Sequence, residues 1–379
     1  MKVLGLFLNN EIRTGANRRY LELMESLAAS GNQVYVLMNS FLPYQPKFFT
    51  RIEISVKYKR KSFPPASLLF KHKIIKSLQF IPDIEWIHIH GDMHLPAAIL
   101  LKNKKNCNLF FASRCNDIKR AHIMRKYAKY SPLGQVESFA HEIHDRMRER
   151  NVAKYSSIIT FQNAIDRNDF IARTKYPERK TIIIPGNIGL PRCTQDNENI
   201  NHSKVVKNIV YVGLLSASKG LQFLLESLKL LHDRGFRELN LSILGKTEGA
   251  ESAFTLIEKL GLGGMVSIEG YKDPFPFLEK CDILVYPTLY DAFPDAVLEA
   301  LHAGCPVIAS RIGGLQDILK YPELLFNLGD IQGIADCIEN CISDASYYLR
   351  IRTLCAERAS EFRFDWAKKF EQAMLNFGE

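Results

Sequence analysis

Several widespread signatures are missing from the 379 residues of this sequence. No apolar run is long enough to cross a membrane, and the opening MKVLGLFL breaks at Asn9 and Asn10, so neither a transmembrane helix nor a signal peptide is predicted. The eight cysteines include no CxxC pair, which is typical of a reduced, cytoplasmic protein. Cys337 and Cys341 could share one helix face, and we interpret them as two small core residues.

Two signatures of phosphate-binding enzymes are also absent. The sequence has no DxD, so a metal ion that bridges a diphosphate has no obvious ligands, and no metal site is predicted. It has no GxGxxG either, because the loop after the first predicted strand carries a single glycine, Gly15. A dinucleotide oxidoreductase needs that fingerprint and an acidic residue about twenty positions further on, so this class of enzyme is disfavoured.

Three histidines in the segment IHIHGDMH allow two interpretations. His88 and His90 alternate along a predicted strand and therefore point to one face, where they could chelate a metal, with His94 close behind them. The interpretation that we favour is a pair of half-buried histidines at the end of a sheet.

Positive charge exceeds negative charge by nine, and the excess is unevenly distributed. The segment Lys47–Lys76 has nine Lys or Arg residues against one acid, Glu53, with aromatic residues between them. A second cluster consists of Arg120, Arg125, Lys126 and Lys129. Such a surface suits an anionic membrane face or an anionic acceptor, although a basic surface that only aids solubility explains it as well. No motif indicates a nucleic-acid partner.

The length predicts two domains, and both follow the same pattern. Strands alternate with helices through residues 1–186, a turn-rich linker covers 187–207, and the alternation restarts in 208–363. This pattern predicts two Rossmann-like, doubly wound parallel-sheet domains of the α/β class, with a cleft between the carboxyl ends of their strands. The predicted strands are Lys2–Asn9, Gln33–Met38, Ile52–Val56, Ile84–His90, Asn108–Ala112, Ser157–Phe161, Thr181–Ile184, Ile209–Val212, Leu239–Leu244, Ile283–Tyr286 and Pro306–Ser310.

The segment YDAFPDAVLEA combines a turn with the start of a helix. Asp295 is predicted to cap this helix, with Ala296 and Val297 leading it, so that free backbone N–H groups form an anion site. Glu299 lies about one turn inside, among apolar residues, where a carboxylate needs partners. Two ligand hydroxyls, such as those of a ribose, would be suitable partners, and so would a backbone group or an arginine of the protein itself.

The segment YVGLLSASKG ends a strand at Gly213 and opens a helix near Lys219. A lysine at a helix N-terminus opposes the helix dipole at a cost of about 0.3–1 kcal/mol, and a bound phosphate would reverse the sign of that interaction. Gly220 would let the backbone come close to such a ligand. The alternative is a lysine that is simply solvated.

These segments together resemble the retaining glycosyltransferases of family 4, the glycosyl transferases group 1, which have the two-domain GT-B fold. The likeness is strongest from Gly213 to Asp317, where AGCPVIASRIGG is intact and VGLLSASKG is similar to the phosphate loop of the family. The start of the chain, IIIPGNIG and FRFDWAKKF are similar to it more loosely. The resemblance implies an acceptor-binding first domain, a nucleotide-sugar-binding second domain, and a C-terminal helix, residues 364–379, that crosses back onto the first domain.

The resemblance also implies roles for single residues. Glu299 would contact the ribose of the donor, Asp291 its sugar, and Lys219 its diphosphate. Gly15 matches the glycine loop that faces the phosphates, and Asn116 occupies the position of a histidine that contacts the donor sugar. The implied donor-binding residues are Gly15, Gly213, Lys219, Gly270, Tyr271, Asp291, Ala292, Phe293, Asp295, Ala296, Val297 and Glu299, and the implied catalytic residues are Lys219, Asp291, Glu299 and Asn116.

Four features of the sequence depart from the family pattern, one of which is PGN at Pro185–Asn187 in place of PNG. Leu214 stands where an arginine usually contacts phosphate, so a neighbouring residue must supply that contact or affinity falls. Asp291 replaces the first glutamate of the E-x7-E pattern and is one methylene shorter, which puts reach or donor preference in doubt. Asn116 replaces the histidine.

The implied reaction is that of a hexosyltransferase, which moves a sugar from a UDP- or GDP-sugar, with retention at the anomeric carbon, to a glycan or lipid-linked acceptor. No side chain is an obvious nucleophile, so we expect front-side attack assisted by the leaving phosphate, without a metal or other cofactor. The implied setting is surface polysaccharide or lipopolysaccharide assembly at the inner face of the plasma membrane, where Lys47–Lys76 would meet anionic lipid. The alternative is a nucleotide-sugar-binding protein of the same fold with weakened catalysis, which the departures at Leu214, Asp291 and Asn116 motivate.

Overall fold

The computed structural model describes residues 1–12, 15–55, 72–127, 132–187, 206–247 and 250–377. Most of the predicted linker, part of Lys47–Lys76, and Lys129 lie outside these residues. The chain divides into two compact units. Unit 1 comprises Met1–Asn116, Ile143–Ile184 and Asp365–Glu379, and unit 2 comprises Asp117–Glu142 and Pro185–Phe364. Residues 117–142, which were assigned to the first domain from the sequence, are therefore grouped with unit 2.

Parallel strands connected by helices form both units. The strands are β1 (Lys2–Phe7), β2 (Gln33–Asn39), β3 (Thr50–Ile54), β4 (Trp86–His90), β5 (Asn108–Ala112), β6 (Ile158–Phe161), β7 (Thr181–Ile183), β8 (Asn208–Val212), β9 (Asn240–Leu244), β10 (Val266–Gly270), β11 (Ile283–Tyr286), β12 (Val307–Ser310) and β13 (Leu325–Phe326). The helices are α1 (Gly15–Ala29), α2 (Leu95–Lys105), α3 (Asp117–Tyr127), α4 (Pro132–Tyr155), α5 (Ala164–Thr174), α6 (Leu221–Asp233), α7 (Glu251–Leu260), α8 (Phe275–Leu278), α9 (Asp295–His302), α10 (Gly313–Leu319), α11 (Ile331–Ser343), α12 (Ala345–Glu361) and α13 (Trp366–Leu375).

The sheet of unit 1 has seven strands in the order β3-β2-β1-β4-β5-β6-β7, all parallel. Its central strands β1 and β4 are buried on both faces, as expected where helices cover both sides of a sheet. Tyr20 of α1 ties two of these strands together, because its hydroxyl accepts from Leu6 N at 2.9 Å and donates to His88 O at 2.8 Å. The C-terminal helix α13 packs against α1 within this unit, and Asn32 donates to Glu371 at 2.6 Å.

The sheet of unit 2 has six parallel strands in the order β10-β9-β8-β11-β12-β13. The chain runs outward from β8 to β10 on one side and from β11 to β13 on the other, so the strand order reverses between β8 and β11. In open α/β sheets, ligands bind beyond the carboxyl ends of the strands at this reversal. Two parallel-sheet domains are thus confirmed. In unit 2, the residues that follow β8 and β11 are candidates for a ligand site.

Two strands were missed from the sequence. β10 lies at the edge of its sheet and is only partly buried, and β13 has two residues, so neither carries a clear pattern of apolar residues. Among the described residues, no helix combines the length and the apolar character that a membrane span requires.

Candidate active site

The loop after β8 brings Lys219 to the point where the strand order reverses. A short 3-10 turn, Ala217–Lys219, leads into α6, and Gly220 forms the N-cap of that helix with φ +70°. A Cβ atom at Gly220 would lie 1.9 Å from the carbonyl oxygen of Pro287, so only glycine fits where this loop crosses the chain after β11. Lys219 thus precedes the helix cap rather than lying in the first helical turn.

The ammonium of Lys219 pairs with the carboxylate of Asp291. Lys219 Nζ donates to Asp291 Oδ2, and both side chains are about one-fifth exposed. The hydroxyl of Tyr286 lies 3.3 Å from Lys219 Nζ and donates to Asp291 Oδ2 at 3.0 Å. The interpretation of Lys219 as a merely solvated lysine is therefore wrong, and two of the predicted catalytic residues lie in direct contact.

The turn that begins at Asp291 is held by two glycines. A Cβ atom at Gly314 would lie 1.8 Å from Ala292 O, and one at Gly313, where φ is +47°, would lie 2.8 Å from Asp291 O. The side chains of Ala292 and Phe293 are buried. These two residues can therefore offer a ligand mainly backbone groups, which the glycine pair at the start of α10 holds in position.

Asp295 does not cap the helix that follows this turn, contrary to the prediction. Pro294 is the N-cap in an extended conformation, and Asp295 is the first residue of α9. Since its carboxylate lies in the first turn, it interacts favourably with the helix dipole. The start of α9 still has N–H groups that lack intrahelical acceptors, with Ala296 half-buried and Val297 buried behind it.

Three carboxylates surround Tyr286. Burial raises the pKa of its hydroxyl well above the usual value, and the charges of Asp291, Asp295 and Glu299 raise it further. Glu299 is half-buried in α9, one turn after Asp295. Lys219 and Asp291 therefore contact one buried tyrosine at the carboxyl end of β11, and Asp295 and Glu299 are near enough to act on it through their charge.

Further residues of the predicted site lie at the carboxyl ends of β9 and β10. Gly270, with φ +73°, ends β10 and accepts at its carbonyl from Gly245 N at 2.9 Å. Tyr271 is 76% exposed, and Lys246 Nζ lies 5.6 Å from the centre of its ring. This exposed ring and its cation are available to a planar or anionic ligand.

Unit 1 contains the other two predicted residues. Gly15 is the exposed first residue of α1. Asn116 is only 4% exposed, and its amide is committed within the unit: it donates to Asp166 and Asp169 and accepts from Arg173, each at 3.2 Å. Both amide hydrogens of Asn116 are thus used within the unit, and a sugar hydroxyl could reach this side chain only as a donor to the amide oxygen, which has a second lone pair.

The histidines of β4 lie in an aromatic cluster. His88 is fully buried and stacks on Phe110, with ring centroids 5.0 Å apart, and His90 contacts Tyr20 and Trp366. Burial lowers the pKa of His88 to about 3. Within the described ranges, no group of three His, Cys, Asp or Glu side chains is arranged to hold a metal ion. The interpretation as core histidines therefore fits, with His88 more deeply buried than expected.

Two residues of the site were missed from the sequence. Tyr286 has the appearance of an ordinary strand residue, and only its position at the carboxyl end of a strand could have indicated it. Lys246 follows β9 by two residues, so the same rule could have found it. Leu214 is 53% exposed and brings no charge to the loop.

Part of this chain matches a known protein family. Residues 206–344, which include β8 to α11, match the family model described as Glycosyl transferases group 1. An uncharacterized glycosyltransferase of Methanocaldococcus jannaschii, MJ1059, is 27% identical over 73% of this chain and 68% of its own length. The lipopolysaccharide core biosynthesis glycosyltransferase LpsE of Rhizobium meliloti is 30% identical over 40% of this chain and 43% of its own length.

A solved structure shares the complete architecture. Anabaena Alr3699/HepE, in complex with UDP and glucose, superposes with a TM-score of 0.73 at 16% identity and covers 99% of this chain and 100% of its own. The chain is therefore a glycosyltransferase with the GT-B fold, and its similarity to the Glycosyl transferases group 1 extends over residues 206–344. This identification rules out the dinucleotide oxidoreductase considered from the sequence.

Proposed function

We propose that this glycosyltransferase belongs to family 4 and moves a sugar, with retention at the anomeric carbon, from a UDP- or GDP-sugar to a glycan or lipid-linked acceptor. The observation that carries the proposal is the position of Lys219 and the start of α9 beside the strand-order reversal of unit 2. A cation and a helix N-terminus at this place suit a diphosphate. The UDP complex of HepE supports a nucleotide donor.

The main task of the site is to stabilise the leaving group. When the bond between the anomeric carbon and the diphosphate oxygen breaks, its electron pair moves to the diphosphate, which gains negative charge. Lys219 and the N-terminal dipole of α9 would stabilise this charge, and such contacts contribute most when they are in place before the reaction. Lys219 must first exchange the carboxylate of Asp291 for the diphosphate.

Retention requires the acceptor to attack from the side that the diphosphate leaves. The acceptor hydroxyl forms the new bond to the anomeric carbon, and its proton passes to an oxygen of the departing diphosphate. Glu299 would hold the ribose hydroxyls of the donor, and Asp291 its sugar. No metal ion is needed in this scheme, because Lys219 and backbone N–H groups carry the charge.

Lys246 would supply the phosphate contact that Leu214 lacks. Gly213 N donates to Leu244 O at 2.9 Å, so the end of β9 lies beside the phosphate loop, and Lys246 follows two residues later. Tyr271, which contacts Lys246, would pack against the nucleobase together with Gly270. The second cation of the site would thus come from β9 instead of the phosphate loop.

The acceptor would bind to unit 1, and the setting would be polysaccharide or lipopolysaccharide assembly, which the similarity to LpsE supports. Exposed apolar side chains in this unit, Phe48 and Ile75, lie within the basic segment Lys47–Lys76, and Lys76 is exposed as well. Apolar groups beside cations suit an anionic membrane surface. Of the second basic cluster, Arg120 pairs with Asp117 and Arg125 with Glu142, so it contributes less free charge than the sequence indicated.

A donor screen tests the proposed reaction. Purified protein is incubated with UDP- and GDP-sugars, and release of the nucleotide is measured with and without candidate glycan acceptors. We expect one donor to be consumed, and proton NMR of the product to show the anomeric configuration of that donor. An inverted product, or no consumption of any nucleotide sugar, would contradict the proposal.

The membrane setting has a separate test, which is flotation with vesicles. Neutral phosphatidylcholine vesicles are compared with vesicles that also contain phosphatidylglycerol. We expect the protein to float only with the anionic vesicles, and less so at high salt because exposed charges are screened. Equal flotation with both kinds of vesicle would count against the basic segment as an anchor.

A nucleotide-sugar-binding protein without turnover is the second candidate function. The ion pair between Lys219 and Asp291 favours it, because the carboxylate of Asp291 competes with a diphosphate for the ammonium of Lys219. Calorimetry with UDP and GDP distinguishes the two candidates when combined with the donor screen. Binding without consumption of any donor would support this alternative.

A further inference from the structure

A buried tyrosine joins the two charged groups of the candidate active site. Tyr286 ends β11 and is 3% exposed. Its hydroxyl donates to Asp291 Oδ2 at 3.0 Å and accepts from Lys219 Nζ at 3.3 Å. Since a phenolic hydroxyl has one proton to donate, its donation to Asp291 leaves its lone pairs for the lysine. One neutral group therefore contacts both members of the ion pair.

The backbone around Tyr286 keeps this arrangement fixed. Leu289 N donates to Ser218 O at 2.9 Å, and the hydroxyl of Thr288, which lies 3.3 Å from that carbonyl and 3.1 Å from Tyr290 O, can donate to either. These bonds tie the chain after β11 to the loop that carries Lys219. The hydroxyl of Tyr286 thus has a defined position relative to both charges, even when Lys219 changes its partner.

We propose that Tyr286 is a positioning residue that controls how readily Lys219 exchanges Asp291 for the diphosphate of the donor. This proposal rests on the proposed function of the site. When Lys219 turns to the diphosphate, Asp291 loses its cation in a half-buried place. The hydroxyl of Tyr286 continues to donate to Asp291, which stabilises the carboxylate and holds it away from the lysine.

Removal of the hydroxyl should therefore weaken nucleotide binding through Asp291. In Tyr286→Phe, Asp291 would lack the tyrosine donor that otherwise remains to it once Lys219 has left, so the carboxylate would retain the lysine more strongly. A hydrogen bond to a charged group corresponds to about 10- to 100-fold in affinity. We expect a loss of that size in the affinity for UDP.

A double-mutant cycle distinguishes this role from a merely structural one. UDP binding is measured by calorimetry for the wild type, Tyr286→Phe, Asp291→Asn and the double variant. We expect Asp291→Asn to restore most of the affinity lost in Tyr286→Phe, because a neutral amide does not compete for Lys219. A structural defect would not be rescued in this way.

Tyr211 provides the matched control. It is also fully buried, near the end of the neighbouring strand β8, and its hydroxyl donates to Leu214 O at 2.9 Å instead of contacting the ion pair. We expect no rescue of Tyr211→Phe by Asp291→Asn. If wild type and Tyr286→Phe bind UDP equally, or if the losses in the cycle simply add, the role of Tyr286 is refuted while the proposed function stands. If the wild type binds neither UDP nor GDP, both fail.

An independent observation concerns two cysteines at the other end of the same strands. Cys281 Sγ and Cys305 Sγ are 2.6 Å apart, closer than the roughly 3.5 Å at which non-bonded heavy atoms pack. They precede β11 and β12, which pair side by side with Leu284 opposite Val307. Two sulfur atoms this close on neighbouring strands need little movement to bond, provided that the Cα atoms have the roughly 4.4–6.8 Å spacing of a disulfide.

We infer that Cys281 and Cys305 form a disulfide when a small-molecule disulfide such as oxidised glutathione is present. The thiolate of Cys281, the more exposed of the two, attacks that disulfide and releases one glutathione. The thiolate of Cys305 then attacks the sulfur of Cys281 and releases the second. Two electrons and two protons pass from the protein to the reagent. The closed ring would contain Asp291 and Glu299, so oxidation would tether the whole segment of the active site.

Peptide mapping tests this pair in the full-length protein. After treatment with oxidised glutathione, mass spectrometry without reduction should show a loss of two hydrogens and a peptide that links Cys281 to Cys305. The link should disappear in Cys281→Ser and persist in Cys337→Ser, another partly exposed cysteine of unit 2. The inference fails if both thiols stay reduced, or if Cys305 is linked to Cys355 instead.

Discussion

Replacement of His88 by phenylalanine should make the stability of unit 1 less sensitive to acid. The imidazole of His88 is fully buried, and both of its nitrogens lack a hydrogen-bond partner. Burial lowers its pKa from 6.5 to about 3. The folded state therefore keeps His88 neutral at pH values where the unfolded chain takes up a proton, and stability is lost as the pH falls from 6.5 towards 3.

The size of this effect follows from the shift of the pKa. At pH 5 the unfolded chain is about 1.5 pH units below the normal pKa of histidine, and each unit corresponds to about 1.36 kcal/mol. His88 alone should thus lower the free energy of unfolding by about 2 kcal/mol between pH 7 and pH 5. For a unit of this size, such a change moves the melting temperature by about 4–8 °C.

Thermal unfolding of His88→Phe and the wild type at pH 7 and pH 5 measures the difference. The variant keeps an aromatic ring against Phe110, and its acid-induced loss should be smaller than that of the wild type by the amount above. Some loss should remain, because burial lowers the pKa of His94 to about 4 and that of His90 as well. His72→Gln changes an exposed histidine and is the control. Equal losses in His88→Phe and the wild type would refute this reasoning.

Three further predictions concern the active site. Lys219→Ala should lower the rate of donor turnover by about 10²–10³, because it removes the cation that meets the leaving group, and unchanged turnover, compared with Lys229→Ala as control, would contradict its role. Lys246→Met should weaken UDP binding by about tenfold in calorimetry if it contacts phosphate, whereas Lys259→Met should have no effect. Gly314→Ala should lower the melting temperature and the affinity for UDP, because its Cβ would lie 1.8 Å from Ala292 O. Gly263→Ala, which has open space around it, should change neither quantity. Equal behaviour of the two variants would contradict the close packing at Gly314.

The sequence was sufficient for the architecture because that depends on periodic apolar residues. Nearly all strands of both sheets could be located, and with them the edge at which Lys219 and Glu299 lie. The short strand β13 could not be located, because two residues are too few to show a periodic pattern of apolar side chains. The prediction that Asp295 caps α9 was wrong, because the N-cap is the extended Pro294 and Asp295 is the first helical residue.

The contacts of the site could not be predicted in the same way. Lys219 and Asp291 are 72 positions apart, and their ion pair depends on how two loops cross at Gly220 and Pro287. The sequence suggested a solvated or phosphate-bound lysine, because neither motif contains its partner. Asn116 shows the same limit: its partners lie on α5, about 50 residues away, and only the folded unit reveals that its amide is already engaged.

A crystal structure of the protein with UDP would show directly where the diphosphate binds. We expect the diphosphate at the carboxyl end of β8 and β11, within hydrogen-bond distance of Lys219 Nζ and the first N–H groups of α9, with Lys219 no longer paired with Asp291. A nucleotide bound elsewhere on the protein, or bound here with the Lys219–Asp291 pair intact, would contradict this expectation.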